Sequence, residues 1–284
     1  MRSSNPVFSR RGFTRGDGGY AGFGGQQQPQ GGNPYAGGGP YAGTNPYNNG
    51  TPEQLQEMYQ APPAGPLQTG RMTIDDVVMR TAITLGTVAV GAVVGWVALA
   101  GSLGLAFGAA LIAFVLGMVQ SFKREPVPAL ILAYAAFEGI FLGVISEAYN
   151  QQWSGAPLQA VLSTMAISGG MLVAYRTRLI RVTARYQRIG MAIAIGFVLL
   201  LVVNLLLSVF GVDLGMRSGG LGIIVGIVGV LLGAFFLSLD FKQIEDGVTY
   251  GAPQRESWLA AFGLTLSLVW IYLEMLRLIS ILRD

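Results

Sequence analysis

Residues 219–240 read GGLGIIVGIVGVLLGAFFLSLD, an uncharged run closed by an aspartate. As a helix rising 1.5 Å per residue, a run of this length crosses the roughly 30 Å hydrocarbon core of a bilayer, which needs about 20 residues. Working outward, six more predominantly apolar segments of similar length appear at 81–101, 103–121, 129–147, 157–175, 189–210 and 258–282. With 52% of residues hydrophobic and only 12% charged, the chain carries more apolar surface than a soluble core of this size encloses. The expected fold is therefore an all-α integral membrane protein with seven transmembrane helices. Only Gly101, Ser102 and Gly104 divide the first two segments, as in a tight helical hairpin. Before the first, Thr73 stands as a cap, and Asp75 and Asp76 complement the dipole of the first turn.

Residues 1–70 differ in kind, being rich in Gly, Gln, Pro, Asn and Tyr with almost no aliphatic periodicity. This composition predicts a disordered cytoplasmic tail ahead of a membrane domain at 71–284. Two readings of the tail stand, a solvated spacer or a tyrosine-bearing docking segment. Lys and Arg are retained on the cytoplasmic side of a membrane. One set of connections holds Lys123, Arg124, Arg176, Arg178, Arg181, Arg185, Arg188, Lys242 and Arg255, whereas the other holds Arg217 and Arg283. That asymmetry predicts the N-terminus inside and the C-terminus outside. The five arginines from Arg176 to Arg188 also suit anionic lipid head groups, beside their plain role in setting topology. The chain has no cysteine or histidine, which removes disulfides, thiolate chemistry and the usual zinc, haem and iron–sulfur ligand sets. No cofactor and no nucleic-acid partner are expected, and a monomer is the expected state.

Three carboxylates, Glu138, Asp240 and Glu274, lie inside the apolar segments. An ionisable group in hydrocarbon costs about 2.5–3.5 kcal/mol on insertion scales, so it marks a pathway, a relay or a sensor. Gly226, Gly229, Gly233 and Asp240 share one face of the sixth segment, and Gly263, Ser267 and Glu274 share one face of the seventh. Packing of these small-residue stripes would bring Asp240 toward Glu274, although the segment ends put Asp240 near the cytoplasmic interface and Glu274 past midplane, so that they meet only if the sixth helix runs beyond 240 or the seventh starts after 258. Glu138 adjoins Gly139 and Gly143, a spacing that favours close helix contact. Two carboxyls held close in low dielectric cannot both ionise cheaply and would titrate as a coupled unit. Against that reading, Glu274 precedes Arg277 by three residues, an arrangement in which the two neutralise each other. Asn204 in the fifth segment reads as a hydrogen-bonding link between helices, and Glu147 as interfacial.

The run Phe137-Glu138-Gly139-Ile140-Phe141-Leu142-Gly143 with Ile145-Ser146, then Leu239-Asp240-Phe241-Lys242-Gln243, then Ile271-Tyr272-Leu273-Glu274, resembles the Bax inhibitor and YccA family. The opening Asn5-Pro6-Val7-Phe8 and the Gly/Tyr-rich tail look like its actinobacterial branch, which implies a bacterial plasma membrane. The resemblance implies a seven-helix bundle with the C-terminal helix at its centre, and a pH-sensitive calcium leak attributed to some members. Carried over, the family's acidic pH sensor would be Asp240 with Glu274, and the acid of the third helix Glu138. Glu at 274 departs from the Asp of bacterial leak proteins, and Phe241-Lys242 from their common Thr.

Three function classes follow. The first is a cation leak, calcium being the expected ion, gated by Asp240 and Glu274, with Glu138 in the path. Each of the three acids would touch calcium weakly and transiently. The second is a membrane-embedded regulator of a membrane protease or another membrane protein, a role the resemblance also includes. The third is an intramembrane aspartyl protease built on Asp240 and Glu274. Ser168 has no histidine to act as its base, which argues against a serine protease, and the expectation is a protein that is not an enzyme.

Overall fold

The computed structural model describes residues 70–211, 215 and 219–284, so the expected tail at 1–70 and Arg217 lie outside the described residues save for Gly70. Seven helices follow one another: α1 Ile74–Ala98, α2 Leu103–Phe122, α3 Pro128–Gln152, α4 Ala156–Arg176, α5 Ala184–Val209, α6 Gly219–Thr249 and α7 Glu256–Arg283. Each is long and apolar enough to cross a membrane, and the described residues form no named strand. This is a multi-pass membrane protein.

The start of α1 follows from its first four residues. The Thr73 hydroxyl accepts the Asp76 amide and the Asp76 carboxylate accepts the Thr73 amide, both at 3.1 Å, so two amides with no helical partner are satisfied. The end of α6 corrects the expected boundary at Asp240, because the helix runs nine residues further, to Thr249. Hydropathy marks where hydrocarbon ends, whereas the helix continues through a polar stretch held by the Lys242–Asp246 ion pair at 2.6 Å, four residues apart.

α7 is the central element. Half of its most apolar window is buried, against 11% for α4, and α1, α3, α4 and α6 all pack along it. Phe262 meets Tyr134 of α3 edge-on at 5.1 Å and stands beside Gly117 of α2. Trp270 reaches Phe197 of α5 at 6.2 Å. The C-terminal helix thus touches all six others, which is the arrangement implied by the resemblance.

Two of the contacts close enough to need glycine position the acids. On α1, Gly91 and Gly95 lie against Gly139 and Gly143 of α3, where a methyl group on Gly91 would stand 2.6 Å from the Ala136 carbonyl oxygen. Between α6 and α7, the Gly229 carbonyl accepts the Trp270 indole N–H at 2.9 Å, while its bare Cα faces the Glu274 carboxylate. Where hydrophobic burial no longer drives association, such backbone approach supplies dispersion contact.

At the arginine-rich end, the segment before α1 is tied to the α6–α7 connection. Met72 N donates to Ala252 O, and Gln254 N to Gly70 O, both at 2.8 Å. Arg80 donates to Gln254 O and Ser257 Oγ and lies 5.4 Å over the Trp258 ring. Arg255 reaches Glu125 of the α2–α3 connection at 2.7 Å.

Candidate functional site

The two small-residue stripes do pack together, and their register decides what the acids meet. Gly226 faces Leu278, Gly229 faces Glu274, Gly233 faces Ile271 and Trp270, and Asp240 faces Gly263. Ser267 Oγ donates to Asp240 Oδ2 at 2.5 Å. These contacts describe antiparallel helices, in which residues near the C-terminal end of one meet residues near the N-terminal end of the other. Asp240 and Glu274 both sit toward the C-terminal ends of their helices, so the packing that joins the stripes separates the acids. Glu274 is level with Gly229, eleven residues or roughly 16 Å of helix rise from Asp240. The expectation that stripe packing brings Asp240 to Glu274 is corrected by this register. At that separation Asp240 and Glu274 do not share a proton, as an aspartyl protease built on them would require.

Glu274 has a different partner. Its Oε2 lies 2.7 Å from an Arg277 Nη2, with both side chains largely buried. That ion pair is the neutralising arrangement that the three-residue spacing allows. The bare faces of Gly226 and Gly229 admit it between α6 and α7.

Glu138 lies on the face of α3 that looks toward α7, in line with the buried residues Ile131, Ala135, Leu142 and Ser146. Tyr134, one turn before it, meets Phe262, and Ser146, two turns after it, is hydrogen-bonded to Tyr272 at 2.6 Å. Its level on α7 therefore falls between Phe262 and Tyr272, the stretch that also holds the Asp240 partners Gly263 and Ser267. Glu138 makes no hydrogen bond or ion pair among the described residues and is half-buried. The acids that share a depth are thus Glu138 and Asp240, reaching α7 from two different helices. Neither has a basic partner among the described residues.

Among the described residues no three acidic side chains gather into a group that could hold a metal ion, so Glu138, Asp240 and Glu274 do not form one calcium site. Asn204 is buried, but its Oδ1 has no partner, and the expected link between helices is not made. α5 packs chiefly on α6, and the polar contact between them is made by Tyr186, whose hydroxyl lies 3.1 Å from Ser238 Oγ, not by Asn204. Glu147 accepts from Gln151 one turn on. Sequence reading passed over Ser267 as a ligand of Asp240, although its place on the stripe was visible, and passed over the Gly91–Gly95 pair, whose four-residue spacing matches Gly139–Gly143. Arg176, Arg178, Arg181, Arg185 and Arg188 gather around the α4–α5 connection, exposed and without an acidic partner among the described residues.

No curated protein matches the chain. A family model described as Bax inhibitor 1 like matches residues 5–284, spanning the whole bundle and all three acids. With six spanning helices around a central C-terminal seventh, and a match over nearly its full length, the chain belongs to the Bax inhibitor family.

Proposed function

We propose that this protein is a pH-sensitive cation leak, with calcium as the permeant ion, in which Asp240 and Glu138 are the acids that a cation or proton meets. The observation that carries the reading is their common depth against α7 with no basic partner for either, since unpaired acids at membrane depth mark ion or proton pathways. Glu274, neutralised by Arg277 on the same helix, is instead a buried ion pair seated against the glycine face of α6. The gate is the Asp240–Ser267 contact. As a carboxylate, Asp240 accepts a charge-assisted bond from Ser267, and protonation replaces it with a neutral bond about half as strong. Acid then weakens the polar contact between α6 and α7 beside Gly263. We place the arginine-rich end in the cytoplasm of a bacterial plasma membrane, following the charge asymmetry.

The test is calcium entry into dye-loaded liposomes across about pH 5–8. Wild type should leak more as pH falls, Asp240→Asn should flatten that dependence, and Glu138→Gln should lower the flux at every pH. An unaltered pH profile in Asp240→Asn contradicts the gate. Absence of flux above empty liposomes from folded protein would assign the bundle to partner binding instead.

A further inference from the structure

At the arginine-rich end a groove of about 1070 Å³ opens sideways between α1 on one wall and α4 with α6 on the other, and Leu264 of α7 is part of its lining. Its volume reaches the upper end of the range for small-ligand pockets. Ile74 and Val78 of α1 and Leu172 of α4 line it with apolar surface, and each is more than half exposed. Arg176, Arg178 and Arg181 stand at its rim. None of the three makes an ion pair or a side-chain hydrogen bond among the described residues. The acid at the same rim, Glu245, is already taken by Tyr175 and Lys242. Apolar walls topped by three cations unpaired among the described residues match an amphiphile with an anionic head.

A second observation concerns Arg178. α4 ends in a Schellman turn, with Leu179 N donating to Ala174 O at 2.9 Å and Arg178 N to Tyr175 O at 3.0 Å. The residue in the left-handed position of such a turn is usually glycine, yet here it is Arg178, at φ +59°, the one non-glycine with positive φ among the described residues. The turn tolerates this strained choice and sets a guanidinium on the groove rim. Residues 1–69 are a poor occupant, because they hold four arginines against three acids and cannot neutralise the rim.

We propose that the groove binds one anionic phospholipid, its phosphate held by Arg176, Arg178 and Arg181 and an acyl chain lying along Val78 and Leu172. Each arginine near such a head group favours the anionic lipid by about fivefold. Arg185 and Arg188 lie outside the lining and take no part in the selectivity.

The experiment is native mass spectrometry of the delipidated full chain, titrated with dioleoylphosphatidylglycerol or dioleoylphosphatidylcholine. Wild type should retain one phosphatidylglycerol at least tenfold more tightly than phosphatidylcholine. Arg178→Gly should reduce that preference about fivefold, with a melting temperature equal to or above wild type, since glycine relieves the left-handed strain. Arg176→Gln/Arg178→Gly/Arg181→Gln should erase the preference, Arg185→Gln/Arg188→Gln should keep it, and Val78→Trp should block the single tight lipid by filling the groove. Deleting residues 1–69 should leave the preference in place. The proposal is overturned if the triple substitution keeps the preference, if the Arg185/Arg188 pair removes it, or if tail deletion removes it. It is also overturned if glycerol phosphate competes at the same concentration as the lipid, which would mark a site for free phosphate esters.

Discussion

Glu274 and Arg277 stand three residues apart on α7, and the bare backbone of Gly226 and Gly229 leaves room for their ion pair against α6. Removing one partner of a buried pair strands the other charge, at a cost of about 3–5 kcal/mol. Arg277→Gln should therefore lower stability by that amount, and Glu274→Gln/Arg277→Gln should recover much of it. Thermal unfolding in detergent checks both, and equal loss in the single and double variants would refute the ion pair. A methyl group at Gly229 would lie 2.6 Å from the Glu274 carboxyl carbon, so Gly229→Ala should cost about 1–3 kcal/mol as an overpacked contact. The pair was legible from the spacing of Glu274 and Arg277. Its priority over a coupled acid pair was not, because spacing along one helix says nothing of what the neighbouring helix places opposite.

At the scale of elements, α1 and α3 show how local spacing becomes packing. Gly139 and Gly143 marked a close contact in the sequence, but their partner helix was not identifiable until Gly91 and Gly95 were seen facing them. A methyl group at Gly143 would overlap the backbone of Ala92, which cannot yield as a side chain end can. Gly143→Ala should lower the melting temperature and the yield of folded protein, whereas Gly86→Ala, on an open face of the same α1, should be neutral or stabilising by up to about 1 kcal/mol through helix propensity. Similar melting of both variants would show that the α1–α3 contact does not govern stability. The connection before α7 offers a graded comparison. Arg255→Ala breaks an exposed ion pair and should cost less than about 1 kcal/mol. Arg80→Ala also loses two hydrogen bonds and the Trp258 face, and should cost more, about 1–3 kcal/mol. Contacts of this kind, between a segment before α1 and a loop some 180 residues later, leave no periodic trace in the sequence.

For the whole molecule, the seven spans and the predominantly apolar stretches that define them were readable from residues 81–282, since bilayer thickness fixes helix length. The central place of α7 came from family resemblance, and packing bears it out through Phe262, Trp270 and the two stripes. Stripe composition foretold that α6 and α7 pack together, and the segment ends already set Asp240 near the cytoplasmic interface and Glu274 past midplane; which residues stand opposite each acid was not legible, because that depends on the register of the neighbouring helix. Antiparallel register sets Asp240 against Gly263 and Ser267, level with Glu138, and leaves Glu274 to Arg277. That register is the claim on which the functional reading rests, and the chain's lack of native cysteine makes it directly measurable. Paired cysteines can be introduced at 240 with 267, and at 240 with 274, the α6–α7 connection made cleavable, and the membranes oxidised. Disulfides need Cα atoms within about 7 Å. Asp240→Cys/Ser267→Cys should hold the two fragments together after cleavage, while Asp240→Cys/Glu274→Cys should release them; cross-linking of the second pair with release of the first would contradict the account.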